Sequence, residues 1–305
     1  MSFSSETKKE LCKAHNICTH YLRAECYGLL LFAKKFKYNE IVLSTESPFV
    51  ANRFMELLTQ VWQVIVEKTS ALTGKVGGTK LFTIRVPDTY DCSRIYLDLG
   101  HMENDVSLRI NRGNLEDEDC TAAFLRGVFL CCGSVIDPVK DYHLEFSVSY
   151  KNLCSDLAKL ISEVEELGPV PKVISRKGSY IAYFKDSEQI ADMLTFIGAP
   201  LAAMEIMNQK IVKEIRNVAN RKTNSEIANI KKTVSASMEQ IKTIEKIQKS
   251  VGLEALPQDL KEVALLRLDN PELSLRDLGT MLEPPISRSG VNHRIKRITA
   301  FAEKI

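Results

Sequence analysis

Long apolar runs are missing from this chain. A bilayer span takes roughly 18–20 consecutive apolar residues, and the longest stretches here are Tyr27–Ala33 and Gly127–Gly133, the latter preceded by Ala122–Phe124. The leading residues, MSFSSETKKELCK, are polar and lack the apolar centre of a secretory signal. A cytoplasmic protein without membrane attachment is therefore expected. Proline and glycine are scarce, 10 and 14 among 305 residues, while 45% of residues are hydrophobic and 26% charged. Those values exclude collagen-like, low-complexity and disordered chains.

The eight cysteines contain no CxxC pair. In a reducing compartment they are expected to be free thiols, mostly buried. Cys12, His15, Cys18 and His20 mix sulfur and nitrogen ligands, but their spacing matches no standard structural zinc site. Helix-face and loop residues are expected there, and no metal. Gly74-Lys75-Val76-Gly77-Gly78 lacks the Walker spacing ending in Gly-Lys-Ser/Thr and reads as a turn between strands. No cofactor is expected, and no Ser/His/Asp arrangement emerges from the spacing.

Net charge is only +2, yet it is unevenly spread. Residues 208–305 hold 18 basic and 12 acidic side chains, net +6, which leaves −4 for residues 1–207. A basic C-terminal part points to nucleic acid. The acidic balance of the rest argues against simple nonspecific DNA affinity, although Arg85, Arg94, Arg109 and Arg112 could form a local basic stripe.

An internal repeat is the strongest feature. RAECYGLLLFAK (23–34) and AAFLRGVFLCCG (122–133) align at an offset of 99 residues, matching Ala24 with Ala123 and Gly28 with Gly127. After the first segment come a strand at Glu40–Thr45, a helix at Pro48–Val66, a strand at Leu81–Pro87 and a helix near Thr89–Leu99. After the second come a strand at His143–Ser149, a helix at Tyr150–Leu167, strands Pro171–Arg176 and Ser179–Phe184 joined by Lys177-Gly178, and a helix at Ser187–Ile197. HLEFSVS and SYIAYF alternate with the period of half-buried strands. Each half thus reads as αβαββα, and the fold class is a duplicated α+β domain with pseudo-twofold symmetry. Each small-residue pair, four residues apart, lies on one helix face, so the two helices are expected to meet closely at the axis.

These segments resemble the LAGLIDADG homing endonucleases, with Cys26–Lys34 and Leu125–Gly133 as the matching nonamers. The resemblance implies two central helices, flanking antiparallel sheets that form a saddle over DNA, and an acid at the eighth position of each nonamer to hold divalent metal. Ala33 and Cys132 stand at those positions. Alanine has no ligand and a thiol is too soft for Mg²⁺. Glu25 and Asp137 are nearby acids without a symmetric partner. A scaffold without its catalytic pair is expected, hence no enzyme.

Past Pro200 the character changes. Residues 201–250 lack proline and glycine and read as one or two basic helices, in which Arg216, Arg221, Lys222, Lys231 and Lys232 are candidate phosphate contacts. A small all-α module follows. Leu260, Val263, Ala264 and Leu268 form the apolar face of a support helix at Asp259–Leu268. Ser274 with Asp277 is a capping pattern for a short helix burying Leu275, Leu278 and Leu282. Pro284-Pro285 breaks the chain before a helix starting near Ser287, in which Val291, Ile295, Ile298 and Ala302 face inward. The opposite face carries Arg288, Asn292 and Lys296 in one row and Ser289, His293 and Arg297 in the next, without an acid. Such side chains contact phosphates and base edges. With Ser287 they are the candidate DNA-binding residues of a helix-turn-helix, and Gly290 is expected to let the backbone approach DNA.

LRDLGTMLEPPISRSGVNHRIKRI resembles the helix-turn-helix of the WhiA family of bacterial regulators, itself similar to the promoter-reading module of sigma factors. NRKTNSEIANIKKTVSASMEQIKTIEKI resembles that family's basic linker helix. The family also carries a degenerate LAGLIDADG domain in front; Cys131-Cys132 departs from the small residues more usual there. The implied organisation is a LAGLIDADG-like domain at 1–205 (repeats about 15–105 and 116–200), a basic helical linker at 206–252, and a sigma-region-4-like helix-turn-helix domain at 253–305. The implied function is a sequence-specific transcriptional regulator acting on double-stranded DNA at the nucleoid, associated with cell division, chromosome segregation and sporulation. Other regulatory proteins are a further partner class. The competing readings are a metal-dependent endonuclease and a protein-interaction scaffold.

Overall fold

A computed structural model describes residues 2–13, 18–73, 78–168 and 170–305. His15 of the cysteine–histidine group and Gly74–Gly77 of the glycine-rich turn lie outside them. The chain divides into two compact units, Met1–Lys213 and Glu214–Ile305. Among the described residues no helix is long and apolar enough to cross a membrane.

The first unit opens with α1 (Phe3–Leu11), capped by Ser2, whose hydroxyl accepts from the Ser5 amide at 3.3 Å. Two repeats follow. The first comprises α2 (Thr19–Leu31), β1 (Lys35–Lys37), β2 (Glu40–Thr45), α3 (Pro48–Trp62), β3 (Glu67–Thr73), β4 (Thr79–Val86) and α4 (Thr89–Asp98). The second comprises α5 (Glu118–Cys132), β5 (Gly133–Val135), β6 (Leu144–Val148), α6 (Lys151–Ser162), β7 (Lys172–Arg176), β8 (Ser179–Phe184) and α7 (Ser187–Phe196). Each builds an antiparallel four-stranded sheet, in the orders β1-β2-β4-β3 and β5-β6-β8-β7. The duplicated α+β architecture is the expected one. Each half also gains a three-residue strand after its axis helix, immediately in the second half and three residues on in the first.

The axis is made by α2 and α5. A Cβ on Gly28 would strike the carbonyl oxygen of Phe124 and lie 2.9 Å from the Val128 nitrogen; one on Gly127 would strike the carbonyl oxygen of Glu25 and lie 3.0 Å from the Leu29 nitrogen. At the 99-residue offset these contacts exchange roles, which is the reciprocity a twofold axis imposes. Only glycine permits this backbone approach. The inner faces of both sheets close on the helix pair in one core that includes Leu29, Phe54, Phe129 and Phe146.

A buried polar group is lodged beside the axis. Tyr27 Oη accepts from the Asn111 amide at 2.8 Å and lies 3.1 Å from His101 Nε2. Which of the two donates is set by the imidazole tautomer. His101 is 5% exposed, amid Tyr27, Phe36 and Tyr96. Burial lowers its pKa, against a smaller opposing pull from Asp105. The unfolded chain thus binds this proton more readily than the folded one, so His101 costs stability as pH falls through the ordinary histidine value near ~6.5. The melting temperature should drop between pH 7 and pH 5, and His101→Gln should flatten that slope.

The second unit contains most of α8 (Pro200–Ser250), then α9 (Gln258–Asp269), α10 (Leu275–Thr280) and α11 (Arg288–Ala302). From 214 to 236 every residue of α8 is exposed. Further along, Ile244 and Ile247 turn into a separate core with Leu260, Val263, Leu278, Val291, Ile295 and Ile298. The N-terminal end of α8 belongs to the first unit, where the Glu10 carboxylate accepts from the amides of Leu201 (2.7 Å) and Ala202 (3.1 Å), satisfying donors a helix start leaves open.

Candidate nucleic-acid interface

α9, α10 and α11 pack as three short helices around the second core. Ser274 caps α10, its hydroxyl accepting from the Asp277 amide at 3.3 Å and donating to the Asp277 carboxylate at 2.7 Å. Ser287 caps α11, accepting from the Gly290 amide at 3.2 Å. The turn between them is tight. The Ile286 amide donates to the Gly279 carbonyl at 3.0 Å, and a Cβ on Gly279 would collide with the Ile286 carbonyl. Arg267, 1% exposed, donates from Nη1 to the Leu273 carbonyl at 2.7 Å and fastens the loop after α9. Sequence reasoning missed both. Gly279 reads as an ordinary helix residue, and an arginine reads as solvent-exposed.

α11 turns Val291, Ile295, Ile298 and Ala302 inward and leaves Arg288, Ser289, Asn292, His293, Lys296 and Arg297 exposed. The two predicted rows therefore share one open face. Two details differ from the expectation. An acid does reach this face from α9: Asp259 pairs with Arg297 at 2.8 Å, while Arg294 donates to the Asp259 carbonyl at 3.4 Å. Gly290 does not face outward, because a Cβ there would rest on the Ile286 side chain at 3.3 Å. Its small size serves the turn.

The five α8 cations are all exposed, but they do not form one stripe. At roughly 100° per residue, Arg221 and Lys232 share one side, Arg216 and Lys231 lie on another, and Lys222 stands about a quarter-turn beyond the first pair.

In the first unit neither residue at the two expected acid positions is an oxygen ligand. Ala33 follows the end of α2 and Cys132 ends α5, both half-buried. The Lys8 ammonium of α1 donates to the Leu130 carbonyl at 3.1 Å beside Cys131 and Cys132. Burial pushes the Cys131 thiol up to about 12 and Cys132 well above its ordinary value, so both are neutral thiols. A cation beside two neutral thiols does not fit a divalent metal that needs hard oxygen ligands. Glu25 is engaged elsewhere. It is fully buried and held by Arg53 through two bonds of 2.8 Å, with Arg126 Nε at 3.4 Å. Asp137 caps its own turn, accepting from the Val139 amide at 2.9 Å. Among the described residues no group of three or more His, Cys, Asp or Glu converges on a metal position. Cys12 is half-buried, Cys18 exposed, and His20 lies 3.7 Å from Glu116.

Three of the four arginines named for a local basic stripe are paired with carboxylates. Arg94 pairs with Asp91, Arg109 with Asp156 and Arg112 with Glu163, at 2.8, 2.6 and 2.8 Å, while Arg85 is exposed on β4.

Two family models match this chain: the WhiA LAGLIDADG-like domain over residues 121–216 and the WhiA C-terminal HTH domain over 219–302. The chain is 35% identical to the "Probable cell division protein WhiA" of Alkaliphilus metalliredigens and 36% identical to that of Clostridium acetobutylicum, across 100% of its own length and 98% of theirs. The crystal structure of full-length DUF199/WhiA from Thermatoga maritima is similar at a TM-score of 0.61 and 26% identity, covering 100% of this chain and 99% of that one. Such identity, sustained from end to end, means that this chain belongs to the WhiA family.

Proposed function

We propose that the protein is a sequence-specific, DNA-binding transcriptional regulator of the cytoplasm and nucleoid, acting in cell division, chromosome segregation and sporulation, and that it cleaves nothing. The observation that carries this reading is the exposed polar row of α11, backed by buried Val291, Ile295 and Ile298 in the second helix of a helix-turn-helix. In this reading residues 1–205 are a cleavage-dead platform, 206–252 a basic linker and 253–305 the reading module. Arg288, Asn292 and Lys296 contact base edges, with Ser289, His293 and Arg297 beside them and Ser287 fixing the helix start. Arg216, Arg221, Lys222, Lys231 and Lys232 neutralise phosphates from different sides of α8. Ala33, Cys132 and the Lys8 ammonium support the absence of nuclease chemistry.

The test is binding to a preferred and a random duplex over a range of salt. Asn292→Ala should weaken the preferred site by about 1–3 kcal/mol and relax its preference at one position. Lys231→Ala should weaken both duplexes alike and lower the salt slope by about one. An Asn292→Ala protein with unchanged site preference refutes the assignment of the reading face.

A further inference from the structure

Within the second unit a cleft of about 510 Å³ opens between α8, the start of α10 and the start of α11. Four of its walls are cationic: Lys232 from α8, Arg267 from α9, Arg276 from α10 and Arg288 from α11. Among the described residues no carboxylate lines it. Lys232, Arg276 and Arg288 are exposed at the rim, whereas Arg267 is buried at the base. Its Nη1 is used by the carbonyls of Leu273 and Asn270 and by Ser237 Oγ, but its Nε–H has no acceptor. Arg267 forms no salt bridge among the described residues, so a buried guanidinium stands with a spare donor and no counter-charge. Gln240 also lines the cleft, and its buried Oε1 is likewise unpartnered. A half-turn of that amide presents an NH₂ donor in its place.

A buried polar group without a partner costs stability, and four like charges around one concavity raise the local potential for anions. Guanidinium forks match tetrahedral oxyanions through paired N–H donors. We infer that this cleft is a phosphate-binding site, with Arg267 and Gln240 as its base and Lys232 and Arg276 as its rim. Arg288 stands where the cleft meets the exposed face of α11. A DNA strand lying against that face would offer its backbone phosphate here. That source rests on the DNA-binding reading, whereas the anion site itself does not.

The test uses the full chain, with Lys232→Gln and Arg276→Gln as variants. Both residues are exposed, and melting in chloride checks that the variants fold as the parent does. Inorganic pyrophosphate, compared with chloride at equal ionic strength, should raise the melting temperature of the parent by about 5 °C or more at ten times its Kd, and less in each variant. In the DNA arm, each variant should bind preferred and random duplexes roughly five-fold more weakly at 0.15 M salt, with a salt slope lower by about one and site preference kept. Loss of the pyrophosphate effect in the variants with DNA affinity unchanged supports the site and assigns it to a free phosphorylated molecule. A parent that ignores pyrophosphate, together with variants whose salt slope is unaltered, overturns the site. A parent that distinguishes no duplex overturns the DNA-binding reading alone, and the pyrophosphate arm then still decides the cleft.

Discussion

Glu25→Gln should lower the melting temperature of the first unit by roughly 6–20 °C. The substitution removes a carboxylate shared by two buried guanidiniums. Glu25 is 0% exposed, and the side chains of Arg53 and Arg126 are 8% and 9% exposed. Losing one partner of a buried ion pair typically costs about 3–5 kcal/mol, because the remaining charge stays desolvated. For a unit of this size each kcal/mol corresponds to roughly 2–4 °C. The two arginines are not equivalent. The Glu25 hydrogen bonds raise the Arg53 pKa, whereas desolvation lowers that of Arg126. Among the described residues Arg126 is held at 3.4 Å from Glu25 and by the Ile197 carbonyl at 3.3 Å. Arg126→Met should therefore cost clearly less than Glu25→Gln, since Glu25 keeps its bidentate partner. Thermal melting of the two variants side by side checks the order. An Arg126→Met protein as unstable as Glu25→Gln contradicts this division of roles.

The same triad marks where sequence reasoning stops. Glu25 is conspicuous as an acid beside the matching nonamer, but its fate depends on Arg53, 28 residues away, and Arg126, 101 residues away. No local period reports such a pairing. Apolar positions were legible because their spacing is a direct image of burial: Leu260, Val263, Val291, Ile295 and Ile298 all lie in the core that their helical period implies. Gly28 and Gly127 were legible because the repeat presents the same requirement twice. The short strands β1 and β5 were not, since three residues are too few to show alternation. β3 was implied by the turn at Gly74–Gly78 but given no bounds, for a different reason: residues 67–72 are exposed, so no buried side chain marks one face. α1 was hidden by its polar surface, with Thr7 and Leu11 as the buried residues. On α11 the open face could be read from its own row of residues, but Asp259 could not, because it arrives from another helix. Arg267 and Lys8 share a lesson. A cation is read as solvated until folding gives it carbonyl oxygens to hold.

The second large effect concerns the last 54 residues. A chain ending at Val251 keeps the whole of α8 and the core of the first unit, but loses α9, α10 and α11. It should retain weak, salt-sensitive binding through the α8 cations and lose discrimination between its target and random duplex. Specific sites are typically bound about 10³–10⁷-fold more tightly than nonspecific ones, so this change should exceed that of any single substitution on α11. Unchanged melting of the first unit shows that the platform survives the truncation. The decisive measurement is the ratio of affinities for target and random duplex, taken at one salt concentration for the full chain and for the chain ending at Val251. A ratio that falls to near one places recognition of base sequence on the terminal helices; a ratio that survives intact places it elsewhere and contradicts the account.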